Sequence, residues 1–453
     1  MAGNSDKADN SDKDNRWSFI SGSRGPIEID HAEGVFLYTK DGRRILDAAG
    51  GAIVSNIGHG RVEVGEAIAA ASARESYVVP PFETESRRRL VDRLRASWLP
   101  DSLNAIWLGS GGSDTIDSAI RLARQHAVAK GEPERSKILG RELSYHGTTV
   151  TTLSAGRQHA RRSGLEPMLA DWPTAPACYC LRCPFEQTYP RCGVRCVEDI
   201  ERVIEEADPR TIAAVIAEPI GGSTAAALTP PDEYWPRLSE ICTKHGILLI
   251  ADEVMTGFGR TGRRFAVDHW NVVPDILVAG KGLAGGYAAI GGLYAREEVV
   301  APLARAGQDL MFYTFGALPA SCAAADKVLE IMEREKLVSR ANQMGQVLRA
   351  RLAKLEDHPN VAEIRGRGLM IGIEFVKDRD RLTHFAEKDH FTNRIVAAGL
   401  SEGAFFYPSG IDPARDAIML GPPLTISEDE IELLVSVLET ALESALRYTS
   451  SRS

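Results

Sequence analysis

The chain carries no excess of positive charge: 53 lysines and arginines stand against 62 aspartates and glutamates, a formal net charge of −9. Phosphate-backbone binding relies on clustered Lys and Arg, so no nucleic-acid partner is expected. The opening stretch MAGNSDKADNSDKDN lacks the apolar core of a secretory signal and the pattern of an amphipathic transit peptide. A disordered tail over residues 1–16 and a cytoplasmic location are the expectations. Coiled-coil heptads and internal repeats are absent. Long uncharged apolar runs are missing as well. The nearest, residues 276–295, contains six glycines and a single charge, Lys281. A lysine at mid-segment is costly in lipid, so no membrane span is expected and Lys281 itself becomes a clue.

Cysteine is sparse and odd in number, with five of seven crowded into residues 178–196. Cys180, Cys183, Cys192 and Cys196 begin with a CxxC pair, which leaves zinc and disulfide readings open. A reduced surface or interface loop is the reading adopted, with no metal site. Aromatics are also few at 7%, but 44% apolar and 25% charged residues are an ordinary globular balance. A length of 453 residues implies two or three units packed as one body.

Residues 34–47 (GVFLYTKDGRRILD) predict two short strands around a DG turn. From Asn104 the pattern becomes strand then helix: NAIWLG leads into DTIDSAIRLARQHAVAK, and AAVIAEPI and GILLIADEV flank a helix around residues 234–245. Continuous apolar strands alternating with helices argue for a mainly parallel sheet covered on both faces, with chemistry at its carboxyl ends. Residues 326–355 predict one long amphipathic helix with Val328, Leu329, Met332, Val338, Ala341, Val347, Leu348 and Leu352 on its buried side. A C-terminal unit with strands LMIGIEFV and AIML closes on a helix from about Ser427.

Lys281 follows the strand PDILVAG. Among small apolar neighbours its amine is desolvated, easier to deprotonate and able to attack a carbonyl. Asp252 ends the strand GILLIA, where a carboxylate can hold a protonated pyridine nitrogen. GSGGSD places a Gly-Gly-Ser turn at a helix start, offering free N–H groups and the positive dipole end to an anion. Tyr145, in SYHG, offers a flat face to an aromatic ring. Each has a plainer explanation in isolation: a snorkelling lysine, a capping aspartate or serine, a core tyrosine. GFGRTG at 257–262 and GKGLAG at 280–285 match the dinucleotide pattern literally. Neither is followed by a helix-forming stretch, which keeps an NAD-dependent dehydrogenase only as an alternative.

In order, SGGSD, SYHG, EPI, DEVMTGFGRTG, GKGLAGG and YTFG resemble the class III aminotransferases, in particular the omega-amino acid and amine transaminases, from about Trp17 to the terminal helix. The resemblance implies the type I fold of pyridoxal phosphate-dependent transferases, an α/β architecture with a mainly parallel sheet in a large domain (76–330). A smaller α+β domain is built from both termini (17–75 and 331–453). It implies pyridoxal 5'-phosphate as cofactor, joined as a Schiff base to Lys281, with Asp252 on the pyridine nitrogen. Val254 and Tyr145 sandwich the ring, His146 and Glu218 stand nearby, and Gly112 and Ser113 hold the phosphate. Thr314 reaches the phosphate from a neighbouring subunit, which implies a homodimer or a dimer of dimers. Lys281 then moves the proton as an amino group passes from an amine or omega-amino acid to an oxo-acid, pyruvate or 2-oxoglutarate. Met255 points to the amine branch. Ile53, Phe82, Tyr145 and Arg415 are the expected substrate contacts. Ile53 stands where some amine transaminases carry Trp, and Arg415 stands in for a mobile arginine expected near Tyr407. An aminomutase or decarboxylase on the same scaffold shares these cofactor residues.

Overall fold

A computed structural model describes residues 27–450, so the tail expected over residues 1–16 lies outside the described residues. The centre is a seven-stranded sheet. In chain order its strands are β1 (Ala105–Gly109), β2 (Lys137–Arg141), β3 (Thr174–Ala175), β4 (Ile212–Ala217), β5 (Leu248–Glu253), β6 (Ile276–Ala279) and β7 (Gly291–Ala295). In space they run β1-β7-β6-β5-β4-β2-β3. Neighbours pair in parallel except β7, which is antiparallel to both β6 and β1. β4 (IAAVIA) is buried at every position and β5 (LLIADE) at all but its first. Such strands need helices on both faces. The helix Gly112–Ala129 supplies one cover, burying Ile116, Ala119, Ile120 and Ala123 at helical spacing in one cluster with Ile250, Ile276 and Val278. The helix Tyr234–His245 buries Tyr234, Trp235, Leu238, Ile241 and Cys242 and ends on Gly246 in the left-handed conformation.

The predicted N-terminal hairpin forms Phe36–Thr39 and Arg44–Asp47, with a further strand, Ile29–Glu33, at its edge. Its fourth strand, Ala404–Phe405, comes from the other end of the chain and pairs in parallel with Arg44–Asp47. A second four-stranded sheet joins Val361–Arg367, Met370–Phe375, Ala417–Leu420 and Tyr407–Ser409.

The long helix expected over residues 326–355 is two helices, Pro319–Arg334 and Leu337–Leu352. Lys336 breaks it with φ +54°. Met332 and Leu337 are both buried, yet five residues apart they would point about 140° apart around a continuous helix. The break turns both into the core. After Gly262 the chain runs through turns to the short 3-10 segment Ala266–His269, so no helix opens on either glycine motif in the manner of a dinucleotide site. All seven cysteines are free thiols, and Cys178 lies within hydrogen-bonding reach of Cys180 and Cys196. Among the described residues no helix is long and apolar enough to cross a membrane.

Candidate active site

The parallel strands deliver their chemistry at one edge. Glu218 directly follows β4, Asp252 sits at the end of β5, Lys281 comes two residues after β6, and Tyr145 and His146 follow β2 by a short turn. In register, Asp252 pairs with Val278 and Glu253 with Ala279, so the end of β5 stands beside the exit of β6 toward Lys281. This is the crevice at the carboxyl ends where open α/β sheets bind ligands.

Asp252 is buried, and its Oδ2 lies 2.7 Å from Nδ1 of His146, whose side chain has no exposed surface. The other carboxylate oxygen accepts the Val254 N–H at 3.1 Å. Asp252 is thus held in one orientation from two sides. His146 Nε2 is buried and finds no hydrogen-bond partner among the described residues, so the site has a place for a polar ligand atom. Glu218 accepts the N–H groups of Tyr145 (3.2 Å) and Gly222 (2.9 Å), and burial raises its carboxyl above the ordinary value. Arg141, buried beneath, donates to the Glu218 carbonyl at 2.6 Å and to the Tyr234 hydroxyl at 3.2 Å.

Lys281 opens the short 3-10 turn Lys281–Leu283 with φ +40°, an uncommon conformation for a residue with a side chain. Burial lowers its ammonium to a pKa of about 8, against the pull of the Asp252 and Glu218 carboxylates. It forms no ion pair among the described residues.

The Gly-Gly-Ser turn begins the helix Gly112–Ala129 as expected. A Cβ at Gly112 would stand 2.8 Å from Val254 Cγ1, and the Gly112 backbone also approaches Gly280. Glycine therefore lets the helix start press onto the ends of β5 and β6. Ser113 Oγ accepts the Thr148 N–H at 3.2 Å, which fastens this turn to the SYHG turn. The cluster offers open N–H groups for an anion, a half-buried tyrosine, a braced carboxylate and an amine of lowered basicity. These are fitting partners for a phosphorylated pyridine aldehyde.

The remaining candidates make contacts of their own. Thr314 and Phe82 are exposed, Phe82 at 66%. Both belong to neighbouring segments: Arg87 donates to the carbonyls of Phe82 and Ala317 at 2.7 Å each, and Tyr77 meets Phe315 edge to face. Ile53 is buried, with φ +59°, and packs against Gly421. Arg415 is engaged by Glu387 at 3.0 Å and by the Phe385 carbonyl at 2.8 Å. Another cation stands beside the cluster. Arg161, exposed on the short helix His159–Arg162, sits 4.5 Å from the Tyr145 ring centroid and within electrostatic reach of Lys281. It forms no ion pair among the described residues. Nothing in SAGRQHARRSG marks it out from its neighbouring arginine, and only the fold brings it to the Tyr145 ring.

The aminotransferase class-III family matches residues 20–442. The chain is 35% identical over 416 residues to YodT, an uncharacterized aminotransferase of Bacillus subtilis, covering 90% of this chain and 93% of that protein. It is 31% identical to a putrescine–pyruvate aminotransferase of Pseudomonas aeruginosa, over 93% and 91% of the two chains. Its structure superimposes on an (S)-enantioselective omega-transaminase from Thermomicrobium roseum with a TM-score of 0.89 at 35% identity, over 93% of this chain and 94% of that one. Fold and site define a type I transferase of the kind that uses pyridoxal phosphate. The chain belongs to the class III aminotransferases and is a transaminase.

Proposed function

We propose that this enzyme moves an amino group from a primary amine or omega-amino acid to a small oxo-acid, pyruvate or 2-oxoglutarate, with pyridoxal phosphate held covalently by Lys281. The observation that carries the reading is a lysine of lowered basicity beside a histidine-braced carboxylate at one sheet edge. When bound, pyridoxal phosphate supplies an aldehyde for the amine and an electron sink for the substrate carbon. Asp252, oriented by His146, holds the pyridine nitrogen. Gly112 and Ser113 take the phosphate, while Val254 and Tyr145 take the two ring faces and Glu218 supports the Tyr145 turn. Lys281 Nζ, with its proton affinity near neutrality, accepts and returns the substrate proton.

Arg161 supplies the positive charge that meets a substrate carboxylate, in place of Arg415, which Glu387 and the Phe385 carbonyl engage. Support for a homodimer comes from one exposed apolar face carrying Tyr77, Phe82, Met311, Phe312 and Phe315. Thr314 lies in the same segment and would serve the neighbouring subunit's phosphate. The reading includes a cytoplasmic enzyme with a large domain over residues 76–330 and a small one from the two ends.

Incubating the purified enzyme with amine donors, diamines included, and pyruvate or 2-oxoglutarate should yield alanine or glutamate. If the donor is decarboxylated or isomerised with no amino acid formed from the acceptor, the enzyme is a decarboxylase or aminomutase instead.

A further inference from the structure

Arg260 is a buried cation whose hydrogen bonds all go to neutral groups. It has no exposed surface. Nη1 donates to the carbonyls of Leu369 at 3.2 Å and Pro422 at 2.5 Å, and Nη2 donates to Asn56 Oδ1 at 2.7 Å. Nε finds no partner among the described residues. Burying an unpaired charge is costly, and here burial pulls the guanidinium down to about 9, with only Asp47 opposing. Asp47 is itself occupied by His59 Nε2 at 3.0 Å and by the Gly51 N–H.

The residue that Arg260 grips is locked in turn. Asn56 is buried, its Nδ2 donates to the Phe258 carbonyl at 2.6 Å, and its own carbonyl accepts the Leu424 N–H at 2.8 Å. The same amide lies hard against Gly282, where any Cβ would collide with Nδ2. Gly282 follows Lys281 in the 3-10 turn. Arg260, Asn56 and the lysine turn therefore form one packed series, tied to the C-terminal unit at Leu369 and Pro422, which flank its strands Met370–Phe375 and Ala417–Leu420.

We infer that Arg260 is a positioning residue for Lys281: through Asn56 it holds the short turn in which Lys281 takes its positive φ, and its unneutralised charge disfavours a second cation at the lysine nitrogen. A cation kept unpaired in a low-dielectric interior acts over several ångströms. The largest influences on Lys281 are burial first, then the Asp252 and Glu218 carboxylates, which favour its protonation, and Arg260 and Arg161, which oppose it. The inference rests on Lys281 being the cofactor lysine.

The test is a pH titration of the visible absorbance of cofactor-loaded enzyme, with thermal melting to confirm folding. Arg260→Met should move the titration midpoint upward by about one pH unit, while Arg260→Lys, which keeps the charge and loses the fork of hydrogen bonds, should leave it within a few tenths. Asn56→Asp keeps the acceptor for Arg260 while neutralising it, and should also move the midpoint upward; this variant decides the matter if Arg260→Met does not fold. Asn56→Ser, which loses the bond without adding charge, should slow turnover with a smaller shift. Folded, loaded Asn56→Asp and Arg260→Met titrating at the parental midpoint would overturn the inference, as would Asn56→Ser shifting as far as Asn56→Asp. Borohydride reduction and peptide mapping separate the two levels: a label on Lys281 with an unmoved midpoint removes this inference alone, whereas a label on another lysine removes the functional reading beneath it.

Discussion

Lys281 is costly to bury, and the cost has a pH signature. Its folded value of about 8 lies below the ordinary 10.5, so the native state releases this proton before the unfolded chain does. Below about pH 8 the protonated amine destabilises the cofactor-free protein. Stability recovers as pH climbs from there toward the unperturbed value, because over that window the unfolded chain binds the extra proton. Lys281→Met should therefore raise the melting temperature of cofactor-free protein at pH 7, with the gain fading above pH 10. A substitution that lowered stability at pH 7 would show that the amine is solvated in the native state. Arg161 calls for a different measurement. Removing a charged hydrogen-bond donor from a carboxylate site costs about 1.5–3 kcal/mol. Arg161→Ala should thus raise KM for the oxo-acid roughly tenfold to a hundredfold, leaving an uncharged amine donor little affected. Equal losses for both substrates would assign Arg161 to packing on Tyr145. Residues such as Lys281 and Asp252 were legible in the sequence because their types are rare in apolar, strand-end settings. Arg161 and Arg260 were not, since arginine is common and their roles depend on which distant carbonyls and rings the fold brings to them.

At the level of elements, strand ends were read more faithfully than helix continuity. Uninterrupted apolar runs such as IAAVIA can only be covered strands or buried helices, and the acidic residues at their ends limited the choice. The helix break at Lys336 gave no such signal, with neither glycine nor proline at the turn; Leu337 is brought inward by the core it joins. A left-handed conformation costs a residue with a side chain about 1–2 kcal/mol relative to glycine, less glycine's greater freedom in the unfolded chain. Lys336→Gly should accordingly stabilise the protein by up to about 1 kcal/mol in urea unfolding, and Lys336→Val should destabilise it. If Lys336→Gly is destabilising, the side chain makes a stabilising contact that outweighs the backbone strain.

For the whole molecule, the mainly parallel sheet followed from the alternation of patterns, whereas the joining of chain ends was expected only through the family resemblance. Ala404–Phe405 pairs with Arg44–Asp47 across more than 350 residues of sequence, and pairing over such a span leaves no local trace. The exposed apolar face is equally invisible in one dimension, because Tyr77, Phe82, Met311, Phe312 and Phe315 come from segments far apart in sequence. Phe315→Asp should weaken self-association at micromolar concentration in analytical ultracentrifugation and release cofactor in parallel. Dissociation with cofactor fully retained would confine each site to a single chain.

Lys281, Asp252 and Glu218 hang on the ends of packed strands, while Arg161, Phe82 and Thr314 belong to connecting segments that the sheet does not constrain. On the proposed reading, the groups that act on the bond and the arginine that meets the substrate carboxylate are therefore encoded in separable stretches of gene. A randomised library confined to residues 158–161 should redirect oxo-acid range while most of its members stay folded and coloured, a favourable starting point for directed evolution.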